Sequence, residues 1–258
     1  MEPVYSSVVA LARVVFGLQG LRFSFHGCDN VPRAGGAVMA INHTGYFDFA
    51  YAGFAARPAG RLVRFMAKDE VFRHRISGPL MRGMHHIPVD RDAGAGSFRA
   101  AVQALKDGEI VGVFPEATIS RSFELKEFKS GVVRMASAAG VPILPVAIWG
   151  SQRVWTKDHP KRLGRTNTPI VINIGEPIPA GRRAEAEQTL QQLQASMRTL
   201  LEVAQTGYPA MTGADRVFLP TRLGGLAPTP EQAAALDVAE AAARASRRAA
   251  RSDRPAGS

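Results

Sequence analysis

The 258-residue chain reads as an α/β protein: a single domain with a mostly parallel central sheet flanked by helices, an amphipathic N-terminal helix and a C-terminal helical extension. Three observations predict this. Apolar runs at residues 37–41, 62–66, 86–89, 110–114, 143–149 and 170–174 have strand length and are bounded by Gly, Pro or polar clusters. Those at 37–41 and 110–114 are apolar throughout rather than alternating, the mark of strands covered on both faces, as in parallel sheets. Helical patterns fall between them, and an apolar fraction of 46% over this length suits one substantial core.

Taken in order, residues 4–18 place Val4, Val8, Leu11, Val15 and Leu18 at helical spacing, with Arg13 as the segment's only charge. This segment is too short to span a bilayer, and Glu2 with no preceding Lys or Arg argues against a signal peptide. Two readings stay open for it, a helix lying in a membrane interface and a helix packed on the core. Ser97 is placed to cap a helix carrying Phe98, Ala101, Val102 and Leu105, which Gly108 ends. Phe128, Val132, Met135, Ala136 and Ala139 repeat the pattern up to Gly140, and a further helix covers residues 184–204. Residues 207–230 are rich in Gly and Pro. Thr229, Pro230 and Gln232 then offer a cap, a first-turn proline and a capping-box partner for a last helix rich in Ala and Arg. The expected divisions are residues 1–26, 27–206 and 207–258, the last ending in a disordered tail.

The formal charge of +10 asks for an anionic partner. Residues 57–91 hold eight Lys or Arg against three acids, a patch suited to phosphate groups and an anionic membrane surface. No nucleic-acid-binding motif accompanies it, so nucleic acid is not expected. Cys28 has no second cysteine to pair with, and no His, Cys or carboxylate cluster has metal-ligand spacing, so neither a disulfide nor a metal is expected.

The chemistry concentrates where two apolar runs end. Asn42-His43-Thr44-Gly45-Tyr46-Phe47-Asp48 follows the run at 37–41, and Phe114-Pro115-Glu116-Ala117-Thr118 ends the run at 110–114. In a parallel sheet both would open on one crevice. On a straight helix His43 and Asp48 would stand about 140° apart. They meet only if His43 lies in the loop and Asp48 in the first turn of the next helix, where the positive helix end favours its charge. An imidazole so paired is the usual base for taking a proton from an alcohol. No G-x-S-x-G element occurs, which favours direct transfer over a covalent serine intermediate.

His43 with Asp48, Lys68 in Met66-Ala67-Lys68, Ile87-Pro88-Val89-Asp90-Arg91, Phe114-Pro115-Glu116-Ala117-Thr118-Ile119-Ser120, Phe128-Lys129-Ser130-Gly131 and Val141-Pro142-Ile143-Leu144-Pro145 together resemble, in order and spacing, the motifs of the glycerolipid acyltransferases, the family of 1-acylglycerol-3-phosphate O-acyltransferase. The resemblance covers about residues 27–179. It implies transfer of a fatty acyl group from acyl-CoA or acyl-carrier protein to the free hydroxyl of a lysophospholipid, with no cofactor beyond that co-substrate. His43 would be the base and Asp48 its orienting acid. Lys68, Arg91, Thr118, Arg121 and Lys129 would hold phosphate and Glu116 the glycerol hydroxyl, at the cytoplasmic face of a membrane, peripheral or monotopic. Two residues depart from the pattern. Ala117 stands for glycine, which is strained if the turn needs a positive φ, and Ile119 stands for an arginine, with Arg121 two residues on as a substitute. The second departure leaves another lysophospholipid or a glycolipid open as acceptor. A reading of another class is a basic lipid-surface protein without catalysis, which predicts that His43→Ala changes nothing and that charge reversal around Arg73, Arg75 and Arg82 destroys function.

Overall fold

Three strands without one exposed side chain, β2 (Ala37–Ile41), β5 (Ile110–Val113) and β6 (Ile143–Trp149), form the middle of the sheet in a computed structural model of the chain. The structure describes residues 2–90, 94–181 and 185–252. Toward one edge β5 is followed by β3 (Val63–Lys68) and β4 (Ile87–Val89). Toward the other, β6 is followed by β7 (Pro169–Ile174) and β1 (Arg22–His26). Among the described strands only β6 and β7 pair antiparallel, and a single antiparallel bridge joins Ile143 to Ile178. Strands β2, β5 and β3 are parallel, so their C-terminal ends open on the same edge.

The apolar-run criterion misses β1. Its residues alternate polar and aromatic, and all but the partly buried Phe23 are exposed, because the strand lies at the edge of the sheet. Phe23 and Phe25 project together and stack, with ring centroids 5.8 Å apart.

The helices are α1 (Pro3–Leu18), α2 (Asp48–Ala55), α3 (Asp69–Arg73), α4 (Ser77–Gly83), α5 (Gly94–Lys106), α6 (Gly131–Ala139), α7 (Ala186–Thr206) and α8 (Pro230–Ser252). Ser97 does not cap α5, which starts three residues earlier. Its hydroxyl instead accepts the Asp90 amide at 3.2 Å. Helix α1 is fastened at its N-terminal end, where the Tyr5 hydroxyl donates to the Val63 carbonyl at 3.1 Å. Arg64 is buried there and donates to Glu2 at 2.7 Å, Glu109 at 2.9 Å and the Met84 carbonyl at 3.0 Å. Part of the basic patch is thus structural: Arg61 donates to the Pro32 carbonyl and Arg82 to that of Phe72, both at 2.8 Å.

Beside Arg64 the buried His86 ring sits between Tyr5 and Phe65, and its Nδ1 accepts the Phe65 amide at 3.1 Å. Burial first, and the Arg64 charge second, push its pKa down to about 4 from the usual 6.5. A group that stays neutral when folded but takes up a proton when unfolded makes the unfolded state the better proton binder. Stability is therefore complete above about pH 6.5 and falls as pH drops toward about 4, by about 3 kcal/mol in all. Urea unfolding across that range should show this loss in the wild type and a flatter profile in His86→Leu.

The chain divides into two compact units, one of residues 1–119 with 127–209, the other of residues 120–126 with those from 210 onward. The first holds the whole sheet. In the second, α8 begins with a capping box: the Thr229 amide donates to Gln232 Oε1 at 3.0 Å, and the Gln232 amide to Thr229 Oγ1 at 3.3 Å. Asp237 and Glu240 on α8 bind Arg121, and Asp237 also binds Lys126.

Candidate active site

Strand β2 ends at Ile41, and Asn42 continues its pairing, first with its amide, which donates to the Val146 carbonyl at 3.3 Å, and then with its side chain. Asn42 Nδ2 donates to the Ile148 carbonyl at 3.0 Å, and Oδ1 accepts the Ile148 amide at 2.6 Å. That closes the β2–β6 ladder and releases the chain into a loop. Asp48 is the first residue of α2, fully buried, and one carboxylate oxygen gathers the loop around itself. Oδ2 accepts the Thr44 and Gly45 amides, each at 2.8 Å, and faces His43 Nδ1 at 3.0 Å. Because Oδ2 already acts as the acceptor for two amides, it faces the ring as an acceptor too, which assigns the ring hydrogen to Nδ1 as the donor of this bond. The lone pair is thereby left on Nε2.

The His43 ring lies on the Phe114 ring, with centroids 4.0 Å apart and planes 20° from parallel, and its side chain remains 19% exposed. The neighbouring strand supplies the second anchor. Glu116, buried two residues past the Phe114 at the end of β5, accepts the His43 amide on Oε1 at 3.0 Å. Its contact is with the histidine's own backbone, so the acid of the downstream block fixes the loop of the upstream one. Within α2, burial and then the Asp48 charge push the Tyr51 phenol pKa up, keeping that core hydroxyl neutral.

A third segment completes the loop, and the sequence did not single it out. After β6 the chain passes over residues 44–47. Thr156 Oγ1 donates to the Thr44 carbonyl at 2.7 Å, and the Tyr46 amide donates to the Trp155 carbonyl at 2.9 Å. The Trp155 ring meets those of Tyr46 and Phe47 at 4.6 and 5.4 Å. Gly45 is required by this approach, because a Cβ there would fall 2.2 Å from Ser151 Oγ and 3.0 Å from its backbone. The available signal was Trp155 itself, a large aromatic in a polar stretch just past a buried strand.

The turn after β5 closes with the Ala117 amide donating to the Phe114 carbonyl at 3.0 Å, which excludes that amide as a donor to an oxyanion. Ala117 takes φ +61°, the left-handed conformation that glycine would hold without strain. Ala117→Gly should remove about 1–2 kcal/mol of strain and lose about 0.4–1 kcal/mol to a more flexible unfolded chain. The expected net gain of roughly 0.5–1 kcal/mol reads as a higher urea midpoint at unchanged slope.

The sequence pattern of the family described as Acyltransferase matches residues 22–149. A 1-acyl-sn-glycerol-3-phosphate acyltransferase of Bacillus subtilis is 32% identical over 148 residues, which cover 57% of this chain and 72% of that protein. The chain belongs to the acyltransferase family. The protein of the same name from Limnanthes douglasii is 29% identical over 56% of this acyltransferase, which spans only about half (51%) of that relative's length. The crystal structure of the 1-acyl-sn-glycerophosphate acyltransferase PlsC from Thermotoga maritima superposes with a TM-score of 0.65 at 21% identity, covering 80% of this chain and 81% of that one, so the two share the fold.

His43, Asp48, Lys68, Glu116, Thr118 and Lys129 all lie inside the matched segment of the acyltransferase. Lys68 is the exposed last residue of β3, on the sheet edge that carries His43. Lys129 is exposed beside the Glu116 turn, its amide donating to the Pro115 carbonyl at 2.9 Å, and Thr118 is half-buried just past that turn. Arg91 lies outside the described residues. Arg121 belongs to the second unit, where two carboxylates of α8 hold its buried guanidinium, and Ile119 is buried. Among the described residues no group of His, Cys and acids is arranged to hold a metal.

Proposed function

We propose that this acyltransferase moves a fatty acyl group from a thioester donor, acyl-CoA or acyl-carrier protein, to the free hydroxyl of 1-acylglycerol 3-phosphate, giving phosphatidic acid. The observation that carries the reading is the His43 ring held by Asp48 with Nε2 left to accept a proton. His43 Nε2 takes the hydroxyl proton as the oxygen bonds to the thioester carbonyl carbon. Collapse of the tetrahedral intermediate breaks the carbon–sulfur bond, and the departing thiolate takes the proton back from the imidazolium. Asp48 stabilises that imidazolium and fixes its tautomer. Glu116 holds the base in place through the His43 amide. Lys68, Lys129 and Arg91 supply positive charge for the acceptor phosphate.

The relatives' names support the acceptor, and α1 supports a lipid setting, since Leu11 and Leu18 are 64% and 72% exposed along one face. No helix among the described residues is long and apolar enough to cross a membrane, so the proposed attachment is peripheral. A second acceptor is favoured by Ile119, which is buried where the family motif carries arginine, and by Arg121, which α8 engages. That reading substitutes another lysophospholipid or a glycolipid. Incubating the purified protein with labelled acyl-CoA, or acyl-carrier protein, and a panel of these acceptors decides between them. Phosphatidic acid as main product is the expected result, and transfer only to acceptors lacking a phosphomonoester rejects the first reading.

A further inference from the structure

Between the C-terminal half of α1, strand β1 and the end of α2 lies a cleft of about 490 Å³ that none of the proposed catalytic residues lines. Its walls are phenylalanines. Phe23 and Phe25 stack on the edge strand, and Phe23 meets Phe54 edge-on at 5.8 Å. Phe16 closes the cleft on the catalytic side, its ring meeting those of Phe47 and Tyr51 at 5.6 and 5.2 Å. Phe47 directly precedes Asp48 in the chain, so a single ring contact links this wall to the catalytic loop. Arg13 and Arg57 also line it, and among the described residues neither has a carboxylate partner.

The volume falls within the roughly 300–1,000 Å³ of small-molecule sites, too small for a folded partner. Walls of this kind give a hydrocarbon chain contact and give a polar ligand nothing to bond. Two cations beside an apolar cavity ask for an anion attached to that hydrocarbon. Leu18, the neighbour of the wall residue Gly17 in sequence, is itself exposed. Gly17 is one of three α1 residues in the wall, with Arg13 and Phe16, and a Cβ built there meets nothing within 4 Å. A side chain at Gly17 would therefore grow into open space, although a helical glycine costs about 1 kcal/mol against alanine.

We propose that this cleft is a second lipid site, binding a single long acyl chain along the phenylalanines with its anionic head paired to Arg13 and Arg57. The ligand class is an anionic single-chain amphiphile, a fatty acid anion or a lysophospholipid. The inference rests on the cleft alone and does not depend on which acceptor is acylated.

The test uses the full chain and a palmitate analogue with a mid-chain diazirine, irradiated below its micellar concentration and mapped after trypsin digestion. Label is expected in the peptides of residues 14–22 and 23–33, which contain α1 and β1 wall residues and no residue of the catalytic loop. Unlabelled palmitate and 1-palmitoylglycerol 3-phosphate, added separately, show by their relative competition which amphiphile the site prefers. Gly17→Trp fills the cleft and should abolish labelling of both peptides with an unchanged thermal melt. Arg13→Glu combined with Arg57→Glu should weaken binding by roughly tenfold or more, and the methyl ester of the probe should label poorly. Absence of label from both peptides, or equal labelling in wild type and Gly17→Trp, overturns the proposal. Should Gly17→Trp not fold, equal labelling by acid and ester overturns it as well.

Discussion

His43→Ala is expected to lower kcat by roughly 100- to 10,000-fold, the range for loss of a positioned general base, with KM and the melting temperature little changed. The fold should tolerate the change because the Asp48 oxygen keeps two donors, the Thr44 and Gly45 amides, and Glu116 binds the backbone of residue 43 rather than its side chain. What disappears is the group with a free nitrogen lone pair, and the stacked contact with Phe114. Since one ring contact is worth about 0.5–1.5 kcal/mol, the stability cost is small beside the kinetic one. Steady-state kinetics with the preferred acceptor, alongside a thermal melt, separates the two. The rival reading of a basic lipid-surface protein predicts the opposite pattern: full function in His43→Ala, and loss when Arg73, Arg75 and Arg82 are reversed in charge. A variant that retains wild-type turnover would remove the general-base mechanism whatever the assay says about lipid binding.

How much of this was legible beforehand depends on the range of each interaction. Strands β2, β5 and β6 declare themselves because every side chain is buried, so the sequence is apolar without interruption. Strand β1 hides because an edge position leaves it alternating. The His43 and Asp48 contact was readable for a local reason: five residues force a loop-to-helix bend if the two are to meet, and the structure makes that bend with Asp48 as the first residue of α2. Contacts between distant segments gave no such sign. The role of Glu116 as acceptor of the His43 amide depends on β2 and β5 being neighbours, and the cover given by Trp155 and Thr156 depends on where the chain leaves β6. Charge was the least legible. Arg64 looks like surface charge in sequence, and it is buried because Glu2 and Glu109 converge on it. Arg121 could stand in for the arginine missing at Ile119 only if the loop turned it inward, and the carboxylates that engage it lie more than 110 residues later in the chain, out of reach of any local pattern.

Asp48→Asn should be nearly as damaging as removing the histidine, and its signature should be different. The carboxylate oxygen that faces His43 accepts three hydrogens, two from backbone amides and one from the ring. If the asparagine oxygen takes that place, the loop keeps its shape, but the imidazolium formed during proton transfer faces a neutral dipole rather than a charge. If the amide nitrogen takes it, donors oppose donors, the ring turns to its other tautomer, and Nε2 holds a proton and cannot act as base. Either way turnover falls, by up to about 10,000-fold, the cost of the same exchange in a serine-protease triad. The loop also loses charge-assisted bonds worth about 1.5–3 kcal/mol each to a fully buried acceptor, less the desolvation that a neutral side chain avoids. A lower melting temperature should therefore accompany the kinetic loss in Asp48→Asn and not in His43→Ala. Measuring both quantities in both variants distinguishes an acid that orients a base from one that merely caps a helix, because a cap alone would show the stability loss with turnover preserved.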